Sequence, residues 1–384
     1  MSTKRQRANP RVLVLAVALF VGAIVLLAQE HRTSFLRPGL RLNAYVTTTD
    51  GQLTVVDLVR LRAISRVPIG PGLSGMREHP TRAEVWGVSS QDGYVWVLDA
   101  HSNQLSARIS VGPLPHAIDF SADGNRAYTT SSGSDTLLAI DCQTHAFVAR
   151  SHTGREPVLA RVTPDGKAIL VLNRGNSSLG IHDAATLAQR GSVGVVSQPE
   201  EVEVLPDSSV AFVLSRSEPR LSVVDLRRGV LLANLQLSGK PSDMLLKPDG
   251  GELYVISPDS HGLQAINTWT HEVGDYVLLG YSPTRGILSA DASLLYITDA
   301  AAARVTAVDI YNRRVVRNSQ GHELLISVGQ GPAALRFDPA ENLLLVANHD
   351  SGDLAVIRAR PDNQSLLTMI PVGQYPEELA VKLF

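Results

Sequence analysis

The amino-acid sequence predicts an all-β protein, folded as an eight-bladed β-propeller of four-stranded antiparallel blades. Three observations lead to this fold: a strand motif recurs at a fixed interval, a proline recurs at the same interval, and the two ends of the array complement each other. Sequence repeats of about 20–50 residues indicate solenoids, propellers or other arrays, so the repeat decides the architecture before any single element is considered.

The repeat is marked by apolar strands that end in a polar residue. Eight such ends are separated by six intervals of 42 residues and one of 49: Asp57, Asp99, Asp141, Asp183, Asp225, Asn267, Asp309 and Arg358. A proline column follows the same course, with Leu73 in its first place: Pro115, Pro157, Pro199, Pro241, Pro283, Pro332 and Pro376. Both columns therefore indicate eight copies of one unit.

Each unit predicts four strands in a fixed order. A proline-led strand is followed by a turn, as in KPDGGELYVI at 247–256, then by an apolar second strand, a polar loop, the third strand with its terminal Asp, and a polar fourth strand. The second strand at 168–172 is apolar throughout, which burial on both faces requires, whereas the fourth strand at 105–110 alternates as outer strands do. Radial stacking of such sheets gives a propeller, and the lack of sustained helical periodicity excludes a helical solenoid.

The two ends of the array predict a closed ring. The array begins with a second-type strand at 44–48 and ends with a first-type strand at 376–384. The tail therefore supplies the inner strand that the first unit lacks, and closure leaves no free sheet edge at the seam. We expect a propeller domain over residues 44–384 with one composite blade.

The segment before the array predicts attachment to a membrane. Residues 1–11 carry four Lys or Arg residues and no acid, and residues 12–28 are apolar and uncharged. This order predicts a basic cytoplasmic tail, a transmembrane anchor or signal peptide, and a linker over 29–43. The end of the apolar stretch makes a poor cleavage site, which favours a single-pass anchor in the cytoplasmic membrane with the propeller on the periplasmic or extracellular side. Cleavage would instead give a secreted protein.

Composition and motifs narrow the function classes. The single cysteine, Cys142, excludes intrachain disulfides. Acidic residues outnumber Lys and Arg once the basic tail is set aside, so we expect no nucleic-acid partner. The sequence has no Walker loop, H-E-x-x-H or G-x-S-x-G motif, and the G-x-G-x-x-G spacing at 70–75 is followed by no helical pattern. These patterns require no cofactor, and they do not determine whether the protein binds a metal.

Several second strands carry a recognisable motif. AYVTT at 44–48, ELYVI at 252–256, LLYIT at 294–298 and LLLVAN at 343–348 resemble the YVTN-type β-propeller repeat, and the resemblance extends over about nine-tenths of the chain. The count of eight units is similar to that of the eight-bladed d1-haem domain of cytochrome cd1 nitrite reductase. The first resemblance implies a propeller from a family with many exported members. The second implies tetrapyrrole binding as an alternative function.

The residues after the proline column predict a site at one mouth of the channel, because ligand sites on a rigid frame usually lie in its loops and openings. The first positions include His116, Glu200 and Glu377, and we expect the two glutamates to face each other with the histidine a quarter-turn away. The next positions include Glu201, Asp243, Arg285 and Glu378. Crowded carboxylates raise one another's pKa values and could bind a cation or polar ligand. The alternative is a water-filled funnel without a ligand.

Three histidines are candidate axial ligands for a tetrapyrrole iron: His116 in this mouth, and His261 and His349 in loops expected on the same face. For each of them, a solvated loop side chain is the alternative.

The acidic residues that belong to the repeat itself are predicted to be structural. The Asp at each third-strand end and the Asp of each Pro-Asp-Gly turn have the short side chains that cap turns.

The single irregular interval marks a candidate partner contact. Its seven extra residues fall within 312–323, which we expect as a lengthened turn between third and fourth strands on the opposite face. Arg313, Arg314 and Arg317 make this segment a candidate surface for a protein partner, and a tolerated loop insertion is the alternative.

The sequence favours a ligand-binding or protein-interaction module of the cell envelope, since no catalytic constellation stands out. The alternatives are a d1-type tetrapyrrole-binding protein of haem maturation or electron transfer, and a propeller hydrolase such as a lactonase. The hydrolase would use Glu200, Glu377 and His116 for acid–base chemistry.

Overall fold

Turn signals at fixed offsets divide each repeat into short strands, and the strands form eight separate sheets. The computed structural model describes residues 40–317, 320–360 and 363–384. The predicted membrane segment at 12–28 lies outside these described residues. Within them, no helix is both long enough and apolar enough to cross a membrane.

The first four blades take their strands from the first half of the chain, with one exception. Blade 1 contains β1 (Leu42–Thr48), β2 (Gln52–Asp57), β3 (Arg62–Pro68) and the last strand of the chain, β33 (Pro376–Leu383). Blade 2 contains β4 (Leu73–Glu78), β5 (Glu84–Ser89), β6 (Tyr94–Asp99) and β7 (Gln104–Ser110). Blade 3 contains β8 (Pro115–Phe120), β9 (Arg126–Ser131), β10 (Thr136–Asp141) and β11 (Ala146–His152). Blade 4 contains β12 (Pro157–Val162), β13 (Ala168–Asn173), β14 (Ser178–Asp183) and β15 (Gln189–Gly194).

The other four blades follow in chain order. Blade 5 contains β16 (Glu201–Val204), β17 (Val210–Leu214), β18 (Arg220–Asp225) and β19 (Val230–Gln236). Blade 6 contains β20 (Asp243–Leu246), β21 (Glu252–Ser257), β22 (Gly262–Asn267) and β23 (Val273–Leu278). Blade 7 contains β24 (Pro283–Leu288), β25 (Leu294–Asp299), β26 (Arg304–Asp309), β27 (Arg314–Val315) and β28 (Leu325–Ser327). Blade 8 contains β29 (Pro332–Phe337), β30 (Leu343–Asn348), β31 (Asp353–Arg360) and β32 (Asn363–Pro371).

Two 3-10 turns, Arg174–Asn176 and Pro258–Ser260, interrupt this all-β order, and the described residues contain no α-helix. The eight-bladed, four-stranded antiparallel fold predicted from the repeat is confirmed.

The core lies between neighbouring blades. Second strands such as β13 are buried almost throughout, whereas outer strands such as β7 alternate between buried and exposed positions. The aromatic rings fill the gaps: Trp86 of blade 2 is fully buried and meets Phe120 of blade 3 edge-on, with ring centroids 5.7 Å apart. Burial of large aromatic area between sheets supplies much of the cohesion of the ring.

The ring closes as the sequence predicts. β33 pairs antiparallel with β1, in a register that runs from Leu42 opposite Leu383 to Thr48 opposite Pro376. Leu379 and Ala380 of β33 are buried. The composite blade 1 thus joins the two ends of the propeller.

The strand-end polar residues cap turns, which confirms their structural interpretation. Asp57 accepts hydrogen bonds from the backbone N–H groups of Val59 and Arg60, both at 2.9 Å. The side-chain oxygen of Asn267 likewise accepts hydrogen bonds from the backbone N–H groups of Trp269 at 2.9 Å and Thr270 at 3.0 Å. An amide oxygen caps this turn as well as a carboxylate does, and this is why Asn can replace Asp in the column.

The insertion in blade 7 differs from the predicted lengthened turn. The turn after β26 is regular, with Asp309 accepting from the N–H of Asn312 at 2.9 Å. The extra residues instead divide the fourth strand, because β27 pairs with one end of β26 and β28 with the other. The capped turn is common to the repeats and is kept here. The extra residues leave the sheet at its outer edge instead, because no further strand has to pair with the fourth strand.

Candidate ligand-binding channel

The first strand of each blade lines the central channel, and the pairing register defines two rings of side chains along it. The upper ring, nearer the proline column, contains Glu378, Ser74, His116, Leu159, Glu201, Asp243 and Ala334, and its eighth member is Arg285 beside Thr298. The lower ring contains Ala380, Arg77, Asp119, Arg161, Glu203, Leu245, Ile287 and Arg336. Adjacent first strands contact one another through most of the ring, which makes these positions a continuous wall.

A backbone bulge moves His116 from the predicted rim into the upper ring. His116 pairs with Thr130 and Ile118 with Thr129, so Ala117 is skipped and adopts a left-handed φ of 47°. When the repeats are aligned by sequence, Ala117 occupies the same position as Glu201, whereas strand pairing puts His116 there. A bulge adds a residue to one strand only, so counting along the sequence assigns the wrong ring position.

Glu200 lies at the rim of blade 5 and is held by two guanidinium groups. Its Oε2 accepts a hydrogen bond from Arg216 Nη1 at 2.7 Å, and its Oε1 lies 3.8 Å from Arg174 Nη2 of blade 4. Arg216 also donates to Glu201 at 3.2 Å and to the carbonyl oxygen of Ser242 in the link to blade 6 at 3.0 Å. The rim of blades 4 to 6 is therefore a network of charged side chains.

Glu201 and Asp243 form the acidic centre of the upper ring. Burial, and then the neighbouring charge of Asp243, raise the pKa of Glu201 to about 8. Burial also raises the pKa of Asp243, although its oxygens accept hydrogen bonds from Gly286 N–H at 2.8 Å and Arg285 Nη1 at 3.4 Å. The side chain of Glu201 keeps 18% of its accessible area, so it can still be reached from the channel. The positive charges of Arg216 and Arg285 therefore do not fully offset the rise in the pKa values of this pair.

The third carboxylate of the upper ring, Glu378, is half-buried and is bound by backbone N–H groups of the next blade. Its two oxygens accept hydrogen bonds from the backbone N–H groups of Gly75 at 2.8 Å and Met76 at 2.6 Å, which joins blade 1 to blade 2. Burial raises the pKa of Glu378, while these two donors oppose the shift. Glu377, the preceding residue, is exposed at the rim on the opposite side of the ring from Glu200.

The three candidate axial histidines lie on blades 3, 6 and 8 and have different surroundings. Burial, followed by nearby Arg174, lowers the pKa of His116. A ring nitrogen of His261 lies 2.6 Å from the carbonyl oxygen of Tyr281. His349 Nδ1 lies 2.7 Å from Asp350 Oδ1, and its ring packs on Tyr375. In the part of the chain that the structure describes, no group of three His, Cys, Asp or Glu side chains is placed to hold a metal ion.

The lower ring was missed by sequence reasoning. Arg77 of blade 2 forms an ion pair with Asp119 of blade 3 at 2.7 Å, and the other oxygen of Asp119 accepts from Val162 N–H of blade 4 at 2.8 Å. Burial and the neighbouring Arg161 lower the pKa of Arg77. The signal was present in six blades, because side chains two apart on a strand share a face and the lower ring there lies two residues beyond the upper one. In blades 2 and 3 a bulge makes this spacing three residues.

The arginines of the blade 7 insertion are placed differently from one another. Arg313 is tied to blade 6, where it pairs with Glu252, donates to the Tyr254 hydroxyl at 3.1 Å and lies 3.6 Å from Asp275. Arg314 and Arg317 line an open cavity of about 490 Å³. Arg313 thus stabilises the contact between blades, while a partner role for the other two stays a prediction.

The sequence profile of the YNCE-like beta-propeller family matches residues 87–293, which is more than half of the chain. The chain belongs to this family. No curated protein sequence matches it.

Solved structures similar to this YNCE-like propeller are distant in sequence. Dihydro-heme d1 dehydrogenase NirN, in complex with DHE, is 18% identical with a TM-score of 0.74, and the alignment covers 91% of this chain and 77% of that one. Hydrazine synthase of Kuenenia stuttgartiensis is 20% identical with a TM-score of 0.58, covering 75% and 96% of the two chains. A functionally unknown protein of Desulfotomaculum acetoxidans is 14% identical with a TM-score of 0.58, covering 77% and 97%. At these identities the likeness establishes the shared fold.

The acid–base trio predicted for a hydrolase comes from three different blades of this YNCE-like propeller. Glu200, Glu377 and His116 belong to blades 5, 1 and 3. Glu200 is held by Arg216 and Arg174, whereas Glu377 is exposed on the far side of the channel. A general acid and a general base must reach the same substrate atoms, and a hydrolase role for these three residues stays a prediction.

Proposed function

We propose that this propeller is a membrane-tethered binding module of the cell envelope that takes up a small cationic ligand through the upper ring of its channel. The tether would be residues 12–28, whose basic flank places the propeller outside the cytoplasm by the positive-inside rule. Family membership supports the scaffold but does not specify the ligand, since ligand specificity depends on the site and not on the fold.

The observation that carries this proposal is the Glu201–Asp243 pair. Two half-buried carboxylates share one wall of the channel, and the pKa of Glu201 is raised to about 8 because the arginines beside it do not offset burial and the second acid. A cation placed between the two carboxylates would stabilise their charged forms. Its binding would therefore release the proton that Glu201 holds at pH 7.

Proton release gives a direct test with spermidine as the cationic probe. In calorimetric titrations at pH 7 in two buffers with different ionisation enthalpies, we expect the apparent binding enthalpy to follow the buffer. Glu201→Gln is expected to weaken binding about tenfold and to remove the buffer dependence, because the proton-carrying group is gone. Glu272→Gln is the matched control, since Glu272 is an exposed carboxylate in the turn between β22 and β23. Binding that is unchanged in Glu201→Gln would refute the assignment.

A second candidate function is the binding of an iron tetrapyrrole, and His349 favours it. Histidines that bind metals usually donate their other ring N–H to a carboxylate, and Asp350 lies at that distance from His349 Nδ1. The Nε2 atom would then be available to iron. The similar fold of NirN, whose structure contains DHE, supports the same idea.

Haemin titration tests the tetrapyrrole candidate. We expect a shifted Soret band at one equivalent for the native chain and its loss in His349→Ala. His152→Ala is the control, because His152 is an exposed histidine on the outer strand β11. The same absorbance spectrum for the native chain and His349→Ala would exclude His349 as the axial ligand.

A further inference from the structure

The lower ring has more guanidinium groups than it has available carboxylates. Arg77, Arg161 and Arg336 occupy equivalent positions on blades 2, 4 and 8. Ala380 is the ring member of blade 1, so no ionisable side chain of the ring stands between Arg336 and Arg77. The structure therefore concentrates cationic side chains on one half of the channel wall.

Only Arg77 of these three has a carboxylate partner. Within residues 40–317, 320–360 and 363–384, the Arg161 side chain forms no hydrogen bond or ion pair, and its Nε is buried without a partner. Arg336 donates to the carbonyl oxygen of its own neighbour, Leu335, at 2.9 Å. Arg161 is half-buried, and a partly desolvated guanidinium without an acceptor is costly, so a charge at this place calls for an explanation.

The carboxylates that face these arginines do not neutralise them. Both oxygens of Asp119 are used, one by Arg77 and the other by Val162 N–H. Burial raises the pKa of Glu203 and nearby Arg161 opposes this shift, but the Glu203 side chain makes no ion pair or hydrogen bond with any other described residue.

Two further carboxylates lie near the same wall. Glu378 influences Arg336 from the upper ring, but its oxygens are held by the N–H groups of Gly75 and Met76. Glu78 is exposed at the lower edge, where Lys382 faces it. Neither of them replaces a missing partner of Arg161.

An open cavity lies against this half of the ring. It has a volume of about 410 Å³, and Arg77, Asp119 and Arg336 line it together with Glu78 and Phe120. Small-molecule sites commonly have volumes of about 300–1,000 Å³. The cavity can therefore hold a small molecule that contacts the guanidinium groups of Arg77 and Arg336 at the same time.

We infer that the lower mouth of the channel binds a small polyanion through Arg77 and Arg336, which line the cavity, with Arg161 of the same ring adding positive charge from blade 4. The guanidinium fork matches the geometry of carboxylate and phosphate oxygens, so either group could supply the two or more anionic ends that the ring needs. This site is distinct from the proposed upper-ring site: it lies one ring further along the channel and selects the opposite charge. A polyanion bound there would give Arg336 an anionic acceptor, which no described residue supplies, and would be attracted by the positive charge of Arg161.

Citrate and inorganic pyrophosphate are suitable probes for the two possible anionic groups. Calorimetric titrations of the full chain at constant ionic strength are expected to show binding of at least one of them. Preference for citrate would indicate a carboxylate ligand, and preference for pyrophosphate would indicate a phosphate ligand. Binding of neither would overturn the inference.

Arginine variants locate the site. Arg336→Gln is expected to raise the dissociation constant about tenfold because it removes a charge-assisted contact, and Arg161→Gln to raise it by a smaller factor because it removes a neighbouring positive charge. Arg62→Gln is the matched control, as Arg62 is exposed on the outer strand β3 and should leave the constant within about twofold. Equal dissociation constants for Arg336→Gln and the native chain would overturn the inference, and this variant keeps the fold because the Arg336 side chain is exposed.

Thermal unfolding separates a binding role from a structural one. Without ligand, Arg161→Gln is expected to unfold at the same temperature as the native chain or higher, since it removes a half-buried charge that has no ion-pair partner among the described residues. The rise in melting temperature that the anion produces in the native chain should be smaller in this variant. A lower melting temperature for Arg161→Gln together with an unchanged anion effect would show that Arg161 is structural and would contradict the inference.

Discussion

A chain that ends at residue 375 is expected to lose its cooperative unfolding transition. The deletion removes β33, which forms the inner strand of blade 1 and contributes the buried residues Leu379, Ala380 and Val381. Each fully buried aliphatic side chain stabilises the fold by about 1.5–3 kcal/mol, and β1 would be left with an unpaired edge facing the channel. The summed loss approaches the whole stability of an ordinary domain, about 5–15 kcal/mol.

Circular dichroism during thermal unfolding measures this loss. Deletion of Phe384 alone is the control, because that residue follows β33 and takes no part in its pairing with β1. The native chain and the control should show one sharp transition, and the shorter chain a broad transition at lower temperature. A sharp transition at the native temperature in the shorter chain would show that the other blades hold the ring without the closing strand.

Glu201→Gln is expected to make the protein more stable at pH 8 and to leave its stability at pH 4.5 nearly unchanged. The folded-state pKa of Glu201 is about 8 and the ordinary value is 4.5, so the folded state binds this proton more tightly than the unfolded state does. Its contribution to stability is fully present below about pH 4.5 and is lost as the pH rises through about 8. Glutamine cannot ionise and escapes this loss.

The expected gain at pH 8 is on the order of 2 kcal/mol. One pKa unit corresponds to about 1.4 kcal/mol, and water in the channel screens part of the shift. Urea unfolding at several pH values measures it, with Glu272→Gln as the exposed control. Asp243 and Glu203 also have raised pKa values, so the variant should flatten the pH profile without abolishing its slope. Native and Glu201→Gln profiles that run parallel would contradict an elevated pKa at this site.

Ring closure and turn capping could be predicted because both are local or periodic. The proline and Asp columns gave the number of units, and Asn267 could stand in for Asp because its turn needs only a short side-chain acceptor. The position of the insertion was harder to predict. Only the pairing of β26 with both β27 and β28 shows that the extra residues split an edge strand and leave the turn intact.

The candidate site was predicted in part. The acidic residues of the upper mouth were found by aligning the repeats, but alignment could not detect the bulge at Ala117 that brings His116 level with Glu201. It also could not show that Glu200 is engaged by Arg216, whose position in a loop between strands has no fixed offset from the rim. The lower ring was not predicted because the repeat alignment was interpreted only at the channel mouth, and Arg77 and Arg161 lie further along their strands.

The amino-acid sequence by itself determined the number of blades, the order of strands within each blade and the closure of the ring, because a repeated hydrophobic pattern leaves only one way to bury every inner strand. The tertiary structure alone decided which charges in the channel are paired. Residues such as Arg77 and Asp119 come from different repeats, and their pairing depends on how bulges and neighbouring blades place side chains within a few ångströms.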